Sequence, residues 1–295
     1  MKLRLAAVLA LAAAPAVAQQ QDFSKVEVKA EKLAEGVYML TGAGGNIGLS
    51  VGKSGTFVID DQYAPLTDRI LAAIRAITPD PVRFVVNTHW HGDHTKGNEN
   101  LDKTGTLLVA HENVRKRMST EQFNALFDRK TPPSPEAALP VVTFTDAITF
   151  HWNGDEIQVH HVPPAHTDTD SIVHFVRADV VHMGDVFFNG SYPFVDTSSG
   201  GRIDGVIDAV DRALAGTGAT TRFIPGHGPA GSRADLQAYR DVLKTLRDRV
   251  AKLKAEGKTR DQAVAAKPTA DHDAKWGSGF MKGDTFTGIV YDSLP

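Results

Sequence analysis

Asn87-Thr88-His89-Trp90-His91-Gly92-Asp93-His94 follows directly on the apolar run Phe84-Val85-Val86. The run reads as a buried strand. Four side chains of metal-ligand type, His89, His91, Asp93 and His94, fall within the six positions 89–94. If the strand persists that far, His89 and His91 leave the same face. Gly92 can supply a sharp turn. Asp93 and His94 then return from the other side, and two pairs of donors converging on one small volume suit two ions better than one. A merely polar, histidine-rich loop is the competing reading, and three histidines with one aspartate directly after a buried strand speak against it.

Outward from this stretch, the N-terminal third reads as a meander. Val37–Leu40, Ile47–Val51 and Thr56–Asp60 are strand-like runs separated by Gly42–Gly45 and Gly52–Gly55, with glycine-bearing turns between them. Leu66, Ile70, Ile74 and Ile77 recur at helical spacing between Pro65 and Pro79. Residues 19–35 are polar and read as loose. Thr106–Ala110 reads as a strand and residues 111–127 as a helix, followed by a proline-rich loop over 131–135. Residues 141–162 form a hairpin about Asn153-Gly154. Ser171–Val176 and Val180–Met183 make a further strand pair. Helices are expected over 203–214 and from a capping box at Ser232/Asp235, whose apolar stripe is Leu236, Tyr239, Leu243, Leu246, Val250 and Leu253. A last short helix opens at Thr259 with Gln262. Ser198-Ser199-Gly200-Gly201 is read as capping the helix after it, or else as offering backbone N–H groups to a substrate carboxylate.

The chain has 295 residues, a net charge of -3 and no cysteine. The charge leaves no electrostatic footprint for nucleic acid. Without thiolates, any transition metal is held by nitrogen and oxygen. Lys2 and Arg4 precede the apolar stretch Leu5–Ala13, and Ala16-Val17-Ala18 is a small-x-small cleavage signal. Residues 1–18 therefore read as a secretory signal peptide, too short for a membrane span, and residues 19–295 as a single exported, periplasmic domain. No later stretch is long and apolar enough to span a membrane.

Three further strand-like runs end in residues of the same chemistry: His166, Asp185 and His227. Chemistry tends to sit in such strand-end loops. The other histidines, His111, His151, His160, His161, His174, His182 and His272, read as structural. Phe187, Phe188, Tyr192 and Phe194 are either an apolar wall beside the metals or ordinary core. Gly-x-Ser-x-Gly is absent, and Ser50-Val51-Gly52-Lys53 lacks the companions of a serine-nucleophile motif, so no covalent route is expected.

His89-x-His91-x-Asp93-His94, then His166, then Asp185 after a glycine, then His227 in Gly-His-Gly-Pro, together resemble the metallo-β-lactamase superfamily. The resemblance covers residues ~37–230. It implies an α/β fold, an αββα sandwich of two mixed sheets flanked by helices, with a dinuclear site at one edge. It further implies that His89, His91 and His166 hold one Zn2+ and Asp93, His94 and His227 a second, with Asp185 bridging them, iron or manganese being the alternatives. Asp93 would be the catalytic residue, orienting a metal-activated water. Two departures bear on substrate. The common secreted lactamases carry Cys where this chain has Asp185 and lack a ligand at the position of His94. There the chain is similar to glyoxalase-II-type thioester hydrolases and lactonases. Export and single-domain length favour the β-lactamase side. The expected substrate is a small molecule with a cyclic amide or ester carbonyl, first a β-lactam, otherwise a lactone, ester or thioester. A nuclease, a diiron oxidoreductase and a non-enzymatic envelope metal binder are the remaining classes.

Overall fold

The computed structural model describes residues 22–295; the signal-peptide reading of residues 1–18 lies outside the described residues. The first half of the chain builds strands β1 (Lys29–Ala34), β2 (Val37–Thr41), β3 (Ile47–Ser50) and β4 (Thr56–Ile59), then helix α1 (Thr67–Arg75) and strand β5 (Val82–Asn87). Short helices α2 (Gly92–Thr95) and α3 (Asn98–Asp102) lead to β6 (Leu107–His111) and α4 (Glu112–Met118). A small hairpin, β7 (Gln122–Asn124) and β8 (Arg129–Thr131), and then β9 (Val142–Phe144) close this half. The second half builds β10 (Ala147–Trp152), β11 (Asp155–His161), β12 (Ser171–Phe175), β13 (Val180–His182), α5 (Ile203–Ala215), β14 (Arg222–Ile224) and β15 (Gly231–Ser232). It ends in α6 (Arg233–Ala255), α7 (Arg260–Ala265), α8 (Asp273–Trp276) and α9 (Gly283–Ser293).

Two mixed sheets result. The seven-stranded sheet runs β1-β2-β3-β4-β5-β6-β9, antiparallel through the meander and parallel from β4 onward. The six-stranded sheet runs β10 to β15 in chain order, and only β13 and β14 pair in parallel. Alternation along each strand sorts the core into layers. Met39, Phe57, Ile59, Val86 and Val109 of one sheet meet Ile157, Val159, Val173 and Phe175 of the other. The opposite face of the first sheet, Leu40, Leu49, Val58 and Val85, packs on Leu66, Ile70 and Ile74 of the α1 region. The second sheet's outer face is covered by α5, α6 and α9 through Val206, Leu236, Leu243 and Phe286. This is the αββα sandwich. Each fully buried side chain of this size contributes about 1.5–3 kcal/mol.

Local sequence explains the joints. Asn153 and Gly154 both take positive φ, 51° and 78°, as a two-residue hairpin requires. Asn153 also accepts from Ser54 N–H and donates to the Gly55 carbonyl, tying the second sheet to a turn of the first. The capping boxes open α6 and α7 as the sequence predicts.

Two expectations of secondary structure fail. Residues 29–34 are not loose: they form the edge strand β1, held by pairing with β2. Residues 111–127 are not one helix. Helix α4 stops at Met118, where the Gln122 side chain turns back and donates to the Arg117 carbonyl. The chain then reverses through Asp128, at φ 45°, into the hairpin β7–β8.

His111 and His161 stack in parallel, with centroids 3.6 Å apart. His111 Nε2 donates to the Thr145 carbonyl and His161 Nδ1 to that of Asp170, each at 2.8 Å. Burial pushes both imidazoles below the ordinary range, and for His161 the facing His111 adds to this. Unfolded chains take up these protons near pH ~6.5, whereas the folded protein takes them up only at lower pH. The stability involved is therefore present above pH ~6.5 and lost as pH falls through the depressed values. Replacing His161 by Phe should flatten the fall of Tm below pH ~6.5 in chelator-treated protein. An unchanged slope would show that the pair does not contribute.

Candidate metal centre

The donors come from five places along one edge of the sandwich. Strand β5 ends at Asn87, so His89 and His91 are not on a common strand face. The chain bends through 88–90, and His91 sits in extended conformation at the N-terminus of α2. Gly92 opens that helix, and Asp93 and His94 lie in its single turn. His166 comes from the loop between β11 and β12, Asp185 from the turn after β13, and His227 from the loop between β14 and β15. The ligand atoms of His89, His91, His166 and Asp185 lie within 4.8 Å of one another, as do those of Asp93, His94 and His227. Asp185 faces both groups. Its Oδ2 is 3.4 Å from Nε2 of both His166 and His227, and its Oδ1 is 3.1 Å from Nε2 of His94.

The partners of the outer ring nitrogens fix the inner ones. Carbonyl and carboxylate oxygens only accept. His166 Nδ1 therefore donates to the Phe194 carbonyl at 2.6 Å, leaving Nε2 bare. His91 Nε2 donates to Asp196 Oδ2 at 3.0 Å, leaving Nδ1 bare. His94 Nδ1 donates to Asp60 Oδ2 at 2.7 Å. Thr88 Oγ1 gives its proton to Asp60 and so accepts from His89 Nδ1. In their neutral forms these four imidazoles aim lone pairs at the centre. The two from His91 and His166 face each other at 2.8 Å, an arrangement that repels unless a cation is shared. Among the described residues, His89 Nε2, His94 Nε2 and Asp185 Oδ1 are buried with no partner in hydrogen-bonding geometry, the 3.1 Å approach of the last two included. A nitrogen-and-oxygen donor set of this kind fits divalent zinc, iron or manganese.

The electrostatics agree. Burial, with His94 adding to it, pushes His89 well below the ordinary histidine range, and burial takes His166 down to about 4. Burial acts the same way on His94 and His227. There, however, the carboxylates win: Asp185, Asp60 and Asp93 pull His94 well above the ordinary range, and Asp185 and Asp93 pull His227 up to about 9. Burial favours the neutral acid for Asp93 and Asp185, yet the surrounding imidazoles hold both below the usual carboxylate range. The negative field that raises His94 and His227 equally attracts a metal cation.

The centre opens to solvent beside Asp93 and His227, whose side chains are 24% and 31% exposed. Phe188 stacks on His227 with centroids 5.0 Å apart, and Phe194 lies 5.7 Å from His166. These two form an apolar wall. Phe187 packs on Tyr239 and Tyr192 stacks on Phe286, so those two are core. On the other side of the mouth Lys96 Nζ lies 5.7 Å from the Tyr63 ring centroid. Burial and the neighbouring Arg129 of β8 both depress that ammonium.

Ser198–Gly201 do not cap α5. That helix begins at Ile203 with Arg202 before it and no side-chain cap. The segment instead wraps Asp196, which accepts from Ser198 N–H and from the buried Ser199 hydroxyl. Sequence reading missed Asp60 and Asp196, the carboxylates that orient His94 and His91. Asp60 ends a strand, as the donors do, and that position was its signal; Asp196 carries none.

A family model described as the metallo-beta-lactamase superfamily matches residues 40–253. Among solved structures, a metallo-beta-lactamase from Pontibacter korlensis superposes with a TM-score of 0.60 at 21% identity, over 74% of this chain and 99% of that one. The DIM-1 metallo-beta-lactamase does so with a TM-score of 0.60 at 21% identity, over 75% and 99%. The sec-alkylsulfatase Pisa1 from Pseudomonas sp. matches with a TM-score of 0.67 at 19% identity, over 90% of this chain and 50% of that one. At these identities the structural likeness speaks for the fold alone.

Proposed function

The chain belongs to the metallo-beta-lactamase superfamily and is a metal-dependent hydrolase; from that premise we propose that it is an exported dinuclear-zinc enzyme opening a small cyclic amide, in the first place a β-lactam. The observation that carries the reading is the placement of Asp185 between two groups of bare donors that open to solvent on one side. Bound zinc would supply a Lewis acid and a water made acidic near pH ~7. The protein's own part is positional. Asp93, held as a carboxylate by His94 and His227, accepts a hydrogen bond at the mouth and orients the attacking water. Phe188 and Phe194 receive an apolar face of the substrate. Lys96 and Arg129 suit an anionic group such as a carboxylate. Lactones, esters and thioesters remain the alternative class on the same donors.

A hydrolysis panel on zinc-loaded protein tests this: a chromogenic cephalosporin, a carbapenem, a lactone, a glutathione thioester and a secondary alkyl sulfate. Metal analysis should find close to two equivalents of zinc. Turnover of the thioester or lactone with none of either β-lactam would replace the first reading by the second.

The double variant Lys96→Ala/Arg129→Ala should raise KM for the cephalosporin roughly 3–10-fold with little change in kcat, since exposed charges contribute modestly. A neutral lactone should be unaffected. Equal effects on both substrates would remove the anion-receiving role. Export is part of the same proposal, with a periplasmic mature protein expected to begin at Gln19; recovery of Met1 in the cytoplasm would overturn it.

A further inference from the structure

One carboxylate is shared between the metal centre and the hairpin over its mouth. Asp196 is buried, at 1% exposure. Its Oδ2 accepts from His91 Nε2 and from Ser199 Oγ at 2.7 Å. Its Oδ1 accepts from Asn124 Nδ2 of β7 at 3.1 Å. The hairpin has a second polar tie nearby, Ala125 N–H to Ser198 Oγ at 3.0 Å. Beyond these, Phe127 at the hairpin turn packs on Phe194 with centroids 5.3 Å apart. Phe194 is the residue whose carbonyl orients His166.

The segment bearing Phe194 and Asp196 is itself clamped from outside the stretch that matches the family. Tyr192 N–H donates to the Trp276 carbonyl, Tyr192 Oη donates to Asp273 Oδ1, and the Tyr192 ring stacks on Phe286 of α9. The backbone of the segment is therefore held in place. What can move is the plane of the Asp196 carboxylate, the hairpin on one side of it and the His91 ring on the other.

We propose that Asp196 is a positioning residue that ties hairpin β7–β8 to the first donor group, Oδ2 fixing His91 and Oδ1 holding Asn124, so that ion binding and seating of the hairpin over the mouth are coupled. The proposal depends on the reading of that group as a metal site. A cation on His91 Nδ1 draws electron density from the ring and strengthens the Nε2–H donation to Asp196. It also fixes the carboxylate's plane, and with it the acceptor that Asn124 needs. Outer carboxylates on ligating histidines act in this way generally. Coupling of this kind is reciprocal: the factor by which zinc favours the seated hairpin is the factor by which the seated hairpin favours zinc.

The test compares wild type, Asn124→Ala and Asp196→Asn by two measurements that need no substrate. One is zinc affinity by chelator competition. The other is hydrogen exchange of residues 122–131 with and without zinc. In the wild type, zinc should slow exchange across the hairpin about 5-fold or more. Asn124→Ala should abolish that protection and weaken zinc binding by the same factor. Asp196→Asn keeps an acceptor for Ser198 N–H and so preserves the local turn, yet should weaken zinc about 10–100-fold. Wild-type affinity in Asp196→Asn, or hairpin exchange indifferent to zinc in a wild type that binds it, would overturn the proposal. A wild type that binds no zinc would overturn the metal reading itself.

Discussion

Asp185→Asn should strip the centre of ions and of activity together. Zinc stoichiometry should fall well below the wild-type value, affinity by more than ~100-fold, and turnover on the best panel substrate by at least as much. Outer-sphere partners of metal ligands already account for 10–100-fold, and a direct ligand to both ions should exceed that range. The carboxylate lies within 3.4 Å of donor nitrogens in both groups. An amide carries no charge and would turn an N–H2 toward one set of bare nitrogens. Asp185→Cys should retain one ion and part of the activity, since a thiolate serves one metal in the related lactamases. A turn-capping role for Asp185 finds no support in the geometry: its Oδ1 has no hydrogen-bond partner, and the turn Gly184–Val186 has no side-chain cap. Full zinc occupancy with unchanged turnover in Asp185→Asn would remove the bridging role and leave a six-ligand site.

Gly45→Ala should be nearly as damaging, by steric means. A Cβ there would fall 2.0 Å from His94 Cε1 and 2.4 Å from Nε2. His94 has nowhere to go: it is fully buried, and its Nδ1 is held by Asp60 at 2.7 Å. The loop cannot easily back away either, because Gly45 N–H donates to the Asp93 carbonyl. Overpacking of this order costs about 1–3 kcal/mol, a Tm loss of about 2–12 °C. Zinc should bind the His89/His91/His166 group but not the group containing His94. Gly218→Ala is the control, since the nearest atom to its added Cβ is 3.9 Å away. Two equivalents of zinc and an unchanged Tm in Gly45→Ala would show that the loop yields freely and that His94 is not sterically fixed.

The seven residues proposed as donors could be picked out because the signal is local: short apolar runs ending in His or Asp, four times along the chain. The hairpin at Asn153-Gly154 and the two capping boxes were legible for the same reason, since each depends on residues within three positions of one another. Strand β1 was not. Its residues Lys29–Lys32 are exposed, and only pairing with β2 makes them a strand. Strand β7 was missed because it falls inside 111–127, read as one helix polar on one side; the break comes only where the Gln122 side chain folds back on the Arg117 carbonyl.

By itself the sequence determined most of the order of elements and the kind of atoms that gather at one edge, because periodicity, turn chemistry and donor type are properties of neighbouring residues; the sandwich itself was implied by the family resemblance that those residues carry. Only the tertiary structure decided which nitrogen of each histidine faces inward and what holds it there. Asp60 is 34 positions from His94 and Asp196 is 105 from His91. Nothing in local pattern connects such residues. They meet because parallel strand order and the loop packed under α9 bring their backbones to the same edge, where a buried N–H must find an acceptor or remain unpaired.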